Sequence, residues 1–235
     1  DLVLVAQPLE EVNVRRLERE LVLAHETGVE VVVVLTKADL VASAQEVEAV
    51  RQRIDGFIGN DSVLVVSEKD PQSIQVVADL IAKDNKMAVL LGRSGVGKSS
   101  LVNMLVGKEV QSTTPVRQDG KGRHTTVSRE IIELPSGGSV IDMPGVRGLG
   151  LWDADEGIGA TFSDIEELSQ SCRFRDCTHT NEPGCAVKRA VDAGELSSAR
   201  LESYVRLREE SQQVKVRREE AERIRTRRGH PRRRR

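Results

Sequence analysis

The chain has 235 residues, 38% of them hydrophobic, which suits one ordinary domain plus a smaller one. No apolar run is long enough to cross a bilayer, which excludes a helical membrane protein. The net charge of −2 hides an almost wholly basic end from Arg225 to Arg235, so the rest is acidic on balance and a polyanionic partner such as RNA is expected.

The start, Asp1-Leu2-Val3-Leu4-Val5, has no basic leader and is not a signal peptide. It lacks an initiator Met and opens inside a strand-like run, as a piece of a longer chain would. Three cysteines are an odd number and argue against a secreted disulfide framework. A reducing cytosol is expected.

Leu2 to Ala6 reads as a buried strand. Val12 to Thr27 carries apolar residues at helical spacing, with Gly28 as a stop. Val31 to Leu35 reads as a strand buried on both faces, and Ser43 caps a helix running to about Phe57. Val63 to Val66 is a third strand, and Pro71 to Lys83 a helix with proline near its start. Met87 to Leu91 is a fourth strand, followed by a helix from Ser100 to Val106. A polar stretch from Gly107 to Thr126 is long for a structureless loop and is read as functional. Arg129 to Leu134 and Ser139 to Ile141 form a hairpin around Pro135-Ser136-Gly137-Gly138. Strands alternating with helices predict an α/β fold with a mostly parallel sheet. Ligands of such sheets sit at the carboxyl ends of the strands.

Between the fourth strand and its helix lies Gly92-Arg93-Ser94-Gly95-Val96-Gly97-Lys98-Ser99, spaced G-x-x-x-x-G-K-S. The glycines let consecutive N–H groups point inward, and the helix adds the positive end of its dipole. Lys98 can reach the β- and γ-phosphates, and the Ser99 hydroxyl can ligate Mg²⁺. A glycine-rich strand-to-helix turn is ordinary by itself; Lys-Ser at this offset selects a nucleoside triphosphate site. Gly92, Arg93, Ser94, Gly95, Val96, Gly97, Lys98, Ser99 and Ser100 are the expected phosphate-binding set.

Two other strand ends carry candidates for reading the base. In Thr36-Lys37-Ala38-Asp39 the Asp39 carboxylate can accept from both N1–H and the exocyclic amine of guanine, a pair that adenine lacks. Lys37 can lie along the base and brace the loop. Around Ser67, backbone N–H groups can meet guanine O6. The hairpin ends in Asp142-Met143-Pro144-Gly145, where Asp142 can hold Mg²⁺ through water and the Gly145 N–H can touch the γ-phosphate. Guanine motifs before the phosphate loop reverse the order of an ordinary small GTPase and predict a circular permutation, which leaves packed contacts intact.

Thr36-Lys37-Ala38-Asp39, Gly92 through Ser99, Gly120-Lys121-Gly122-Arg123-His124-Thr125-Thr126, Asp142 through Gly145 and a cysteine cluster together resemble the circularly permuted, ribosome small-subunit-dependent GTPases of the RsgA/YjeQ type. The resemblance implies a GTP hydrolase with GTP/GDP and Mg²⁺ as ligands, acting in late maturation of the small ribosomal subunit and binding its rRNA. Such proteins usually carry an N-terminal RNA-binding barrel, to which nothing here corresponds. The family mostly has Asn at position 36 and small, glycine-rich residues after Ser67, where this chain has Glu68-Lys69-Asp70-Pro71.

Hydrolysis needs a positioned water and compensation for spreading negative charge. Val146 stands where Ras-like proteins have glutamine and cannot orient water. The His124 imidazole can do so; its bland reading is an exposed loop histidine, and the resemblance points to catalysis. His124 and Lys98 are the catalytic candidates, and one of Thr125 or Thr126 completes the Mg²⁺ shell. Turnover is expected to be slow until a partner orders the switch.

Cys172, Cys177, His179 and Cys185 give C-x4-C-x-H-x5-C, a closed tetrahedral set for one structural zinc. The alternatives are a disulfide with a spare thiol, or buried free cysteines. Zinc would fix a segment too short to bury its own core. After Gly194 the chain is helix-like and heavily charged. Tyr204 and Leu207 offer little apolar stripe, so most of it is expected to be solvated: a frayed helix with a disordered tail, an rRNA clamp acting on phosphates, or both.

The expected architecture is a circularly permuted GTPase domain over 1–162 and a zinc-binding, mainly helical domain with a basic tail over 163–235. A cytoplasmic monomer is expected, with Trp152 and Phe162 relaying the switch to the zinc module. The alternatives are a non-ribosomal P-loop ATPase or kinase, and a catalytically idle RNA-binding module.

Overall fold

The computed structural model describes residues 1–55, 58, 62–110, 131–142, 151 and 154–228. The chain divides into two compact units, Asp1–Gly148 and Leu149–Arg235.

The first unit is built on strands β1 (Leu2–Pro8), β2 (Glu30–Thr36), β3 (Ser62–Val65), β4 (Met87–Leu91), β5 (Ile131–Glu133) and β6 (Ser139–Asp142). They form one six-stranded sheet in the order β3-β2-β1-β4-β6-β5. Every pairing is parallel except the β5–β6 hairpin. Parallel neighbours need crossovers, which here are the helices α1 (Val14–His25), α2 (Ala44–Asp55), α3 (Pro71–Ala82) and α4 (Lys98–Val106).

The unbroken Val31-Val32-Val33-Val34-Leu35 run follows from burial on both faces. Val32 and Val34 join the cluster of Val77, Ile81, Leu101 and Val102 under α3 and α4. Val31, Val33 and Leu35 pack with Leu17, Leu21 and Ile54 of α1 and α2. The helix starts are capped as their sequences imply. The Ser43 hydroxyl accepts from the Glu46 N–H at 3.2 Å, and Asp70 accepts from the Gln72 N–H ahead of Pro71 at the first helical position. Phe57, the expected end of α2, lies outside the described residues.

The second unit holds helices α5 (Asp155–Thr161), α6 (Ser163–Ser169), α7 (Ala186–Asp192) and α8 (Ser198–Arg228). Phe162 and Tyr204 are fully buried and meet edge to face with centroids 5.5 Å apart. Arg200 lies over the Phe162 ring and donates to both Asp164 oxygens, at 2.6 and 2.8 Å, and to the Thr161 carbonyl at 2.9 Å. The Tyr204 hydroxyl donates to Glu166 at 2.7 Å and accepts from Arg208 at 2.8 Å.

The first half of α8 therefore departs from the solvated helix expected from its charge. Ser203, Tyr204, Leu207 and Ser211 are all buried; from Gln212 to Arg225 the side chains face solvent, apart from a half-buried Val214. Two large side chains one turn apart suffice as a stripe. Phe162 sits in this core, so the stretch expected to close the first domain packs in the second unit.

Candidate functional site

The candidate nucleotide site is assembled where β1, β2, β3 and β4 end. β4 runs into the phosphate loop, whose path only glycine permits. At Gly92 φ is +144°, and a Cβ would meet the Ala6 carbonyl at 2.6 Å. Gly97, at φ +102°, turns the chain into α4. Lys98 then folds back over the loop. Its ammonium donates to the Gly92 carbonyl at 2.8 Å and the Arg93 carbonyl at 3.1 Å, with the residue only 7% exposed. Ser99 and Ser100 lie in the first turn of α4, half-buried, while Arg93, Ser94 and Gly95 are exposed at the mouth and Val96 is buried.

The motif at the end of β2 grips the same loop. The Thr36 hydroxyl bonds the Val96 carbonyl and also lies 3.2 Å from the Gln7 carbonyl. Lys37 adopts a left-handed conformation, φ 60°, and donates to the Gly95 carbonyl at 2.7 Å. A strained lysine is held only where its surroundings over-determine it; here both ends of the residue are committed. Thr36 thus contacts the phosphate loop from the end of β2, with one hydroxyl proton shared between two carbonyls.

The β3 end meets the same place. Val66 N–H donates to the Leu35 carbonyl and Ala38 N–H to the Val66 carbonyl, at 2.8 and 3.2 Å. Ser67 and Asp70 close a tight turn by bridging. The Ser67 hydroxyl faces Asp39 Oδ1 at 3.5 Å and accepts from the Lys69 N–H at 3.1 Å. Ser73 accepts from the Ser67 N–H at 3.1 Å. Thr36, Lys37, Asp39, Ser67 and the phosphate loop are therefore brought together. Gln7 and Ser73 were not read from the sequence. Gln7 is a polar residue ending an apolar strand, and that interruption was the available signal.

Asp142 ends β6 opposite Leu90 of β4, one strand away from the loop. His124, Thr125, Thr126, Gly145, Val146, Trp152 and the tail beyond Arg228 lie outside the described residues.

In the second unit, Cys172, Cys177, His179 and Cys185 offer ligand atoms all within 4.8 Å of one another. The Cys172 sulfur lies 3.9 Å from that of Cys185 and 3.7 Å from His179 Nδ1, which is 3.4 Å from Cys185. A tetrahedral zinc with bonds of about 2.3 Å to sulfur requires ligand separations of about 3.8 Å, so the four residues fit the ion. Backbone N–H groups of Ala186 and Lys188 donate to the sulfurs of Cys172 and Cys185 at 3.3 and 3.4 Å, as thiolates need. Burial lowers the His179 imidazole's pKa, and Arg208 acts in the same direction, which favours the neutral ligand form. Burial pushes the metal-free Cys177 thiol up to about 12, so a metal must displace its proton.

Glu182 builds the turn that carries His179, another residue the sequence did not single out. Its carboxylate accepts from the Thr178 N–H and hydroxyl at 2.9 and 2.5 Å, and from the Thr180 and Asn181 N–H groups at 3.1 Å each. These bonds hold its carboxyl down at about 2.

Residues 1–152 match the family model described as RsgA GTPase. The chain belongs to the RsgA GTPase family. Within that family it is similar to the small ribosomal subunit biogenesis GTPase RsgA of Streptomyces avermitilis, 47% identical over 87% of this chain and 55% of the relative. The protein of the same name from Streptomyces coelicolor is 45% identical, over 87% and 56%. The chain spans about half the length of these curated relatives. Its structure is similar to the crystal structure of YjeQ from Thermotoga maritima, with TM-score 0.65 and 28% identity over 90% of this chain and 71% of that one. It is also similar to YloQ, a circularly permuted GTPase, with TM-score 0.64 and 32% identity over 92% and 68%.

The fold of an RsgA GTPase accounts for the motif order. The motifs expected to read the base come first in the chain, yet the sheet sets β2 and β3 on one side of β1 and the phosphate-loop strand β4 on the other. Permutation changed the termini and left the strand neighbours that converge on the site. Among the described residues, no helix is long and apolar enough to cross a membrane.

Proposed function

We propose that this chain binds GTP with Mg²⁺ and hydrolyses it in the service of small ribosomal subunit maturation. The observation that carries the nucleotide assignment is the double grip on the phosphate loop. Lys98 closes it from within, and Thr36 and Lys37, in the motif that ends in Asp39, hold it from the base side. A site so joined senses base and phosphates as one object.

In this reading Asp39, steadied by Ser67, accepts from the guanine edge. The N–H groups from Gly92 to Ser100 receive the phosphates. When the nucleotide arrives, Lys98 exchanges its carbonyl partners for phosphate oxygens, a donor already desolvated and aimed. Ser99 and Asp142 would hold Mg²⁺, which would supply compensation for the negative charge of the phosphates. His124 positions the attacking water, Thr125 or Thr126 completes the magnesium shell, and the Gly145 N–H meets the γ-phosphate. Cys172, Cys177, His179 and Cys185 hold a structural zinc. The GTPase part corresponds to the first unit, Asp1–Gly148, and the zinc-bearing second unit presents a cationic end to rRNA. The relatives are named for the small ribosomal subunit, which supports the partner. The protein acts as a cytoplasmic monomer.

Competition between GTP and ATP tests the base assignment. Asp39→Asn should weaken GTP about 10- to 100-fold, as loss of a charged hydrogen-bonding pair implies; equal affinity of the wild type for both nucleotides overturns it. Co-sedimentation with purified small subunits, comparing a non-hydrolysable GTP analogue with GDP, tests the partner. Unchanged subunit-stimulated turnover in His124→Ala removes that residue from the mechanism.

A further inference from the structure

The floor of the phosphate loop is the end of β1. The Ala6 carbonyl abuts Gly92 so closely that a Cβ there would lie 2.6 Å away. The next residue, Gln7, offers its carbonyl to the Thr36 hydroxyl that also bonds Val96. The Gln7 side chain is 2% exposed and donates from Nε2 to Glu20 Oε2 at 2.5 Å. Glu20 belongs to α1, and instead of turning to solvent its carboxyl is held one side chain behind the loop.

The surroundings of that carboxyl are defined. Burial raises its pKa, opposed by the Gln7 hydrogen bond and by the positive charges of Arg16 and Lys98. Lys98 is the cation that closes the phosphate loop. Glu20 is thus a negative charge hydrogen-bonded to the end of β1 under the loop and within electrostatic reach of the group that closes it.

We propose that Glu20 is a specificity-determining residue, a fixed negative charge behind the phosphate loop that disfavours the more anionic nucleotide and so lowers the affinity for triphosphate relative to diphosphate. The proposal rests on the reading of this loop as a nucleotide site. The triphosphate brings an additional negative charge to the Lys98 end of the site. Through a medium that is partly protein, a unit charge within electrostatic reach of the phosphates changes affinity several-fold for each charge it opposes. Glu20 touches no phosphate. It weakens the field that Lys98 presents to the extra phosphate.

The sign separates this role from a merely structural one. If Glu20 only braced Gln7, no replacement would tighten nucleotide binding. Glu20→Gln keeps the shape and an oxygen to accept from Gln7 while removing the charge. It should bind GTP about tenfold more tightly, and GDP more tightly by a smaller factor. Glu20→Asp keeps the charge and should show no such gain. Inorganic tripolyphosphate, which has no base, should follow GTP. Titration calorimetry on wild type and both variants measures all of these. Unchanged or weaker GTP and tripolyphosphate binding in Glu20→Gln, or an equal gain in Glu20→Asp, overturns the proposal even where guanine preference is intact. Loss of preference for GTP over ATP, with the tripolyphosphate gain intact, overturns the base assignment alone.

Discussion

Thr36 shows how one atom can join three elements. Its hydroxyl ends β2, faces the carbonyl of Gln7 on β1 and bonds the carbonyl of Val96 in the phosphate loop. Thr36→Val keeps the volume and removes the hydroxyl. The Gln7 and Val96 carbonyls then lose that donor in a buried setting, at a cost of about 1–3 kcal/mol. The expected result is about tenfold weaker nucleotide binding with little change in the sheet, read by fluorescent-nucleotide titration beside a thermal melt. Thr36→Asn carries two N–H donors where threonine has one proton, and should bind nucleotide at least as well as the wild type. Gly92 makes the complementary point: its φ of +144° and the Ala6 carbonyl behind it leave no room for Gly92→Ala. The backbone there must move, and the melting temperature should fall even without nucleotide.

Among elements, legibility followed the number of residues that state the same thing. The parallel strands were readable because Val31 to Leu35 is apolar without interruption. The phosphate loop was readable because glycines, Lys98 and Ser99 stand at fixed offsets from a strand and a helix. The buried half of α8 was not readable, since Tyr204 and Leu207 sit among charged neighbours. Tyr204 packs on Phe162, distant in sequence, and Phe162 is in turn covered by Arg200, which is not apolar at all. The ligand spacing disclosed the metal centre but not the turn beneath it, because Glu182 acts through backbone N–H groups that any sequence supplies. Glu182→Ala should release zinc faster to a colorimetric chelator while leaving the four ligands in place. The folded carboxyl, at about 2, lies below the ordinary 4.5, so its contribution is complete above pH 4.5 and is lost as the pH falls towards about 2. The Ala variant should lack that part of the acid response.

Across the whole molecule, the two units draw their stability from different sources. The first buries a sheet on both faces with apolar residues. The second packs a modest core around Phe162 and Tyr204 beside a four-ligand cluster. Stoichiometric zinc is expected in protein purified under reducing conditions. Its removal by a strong chelator should cost helical circular dichroism and leave nucleotide titration of the first unit largely intact. Lower pH should ease that removal, because Cys177 takes up a proton as the metal leaves.

The 31-residue helix α8 ends in a stretch without a core to lean on. From Gln212 to Arg228 it extends about 24 Å at 1.5 Å per residue, supported by exposed pairs such as Arg218 with Glu222 at 3.3 Å. Exposed pairs of this kind add only a few tenths of a kcal/mol each. Trypsin should therefore cut the exposed stretch at Arg225, Arg223 and Arg218, and stall near Arg208, where Tyr204 anchors the backbone. A ladder of fragments that shortens stepwise and then stops is the signature of a helix stiff at its root and frayed at its tip.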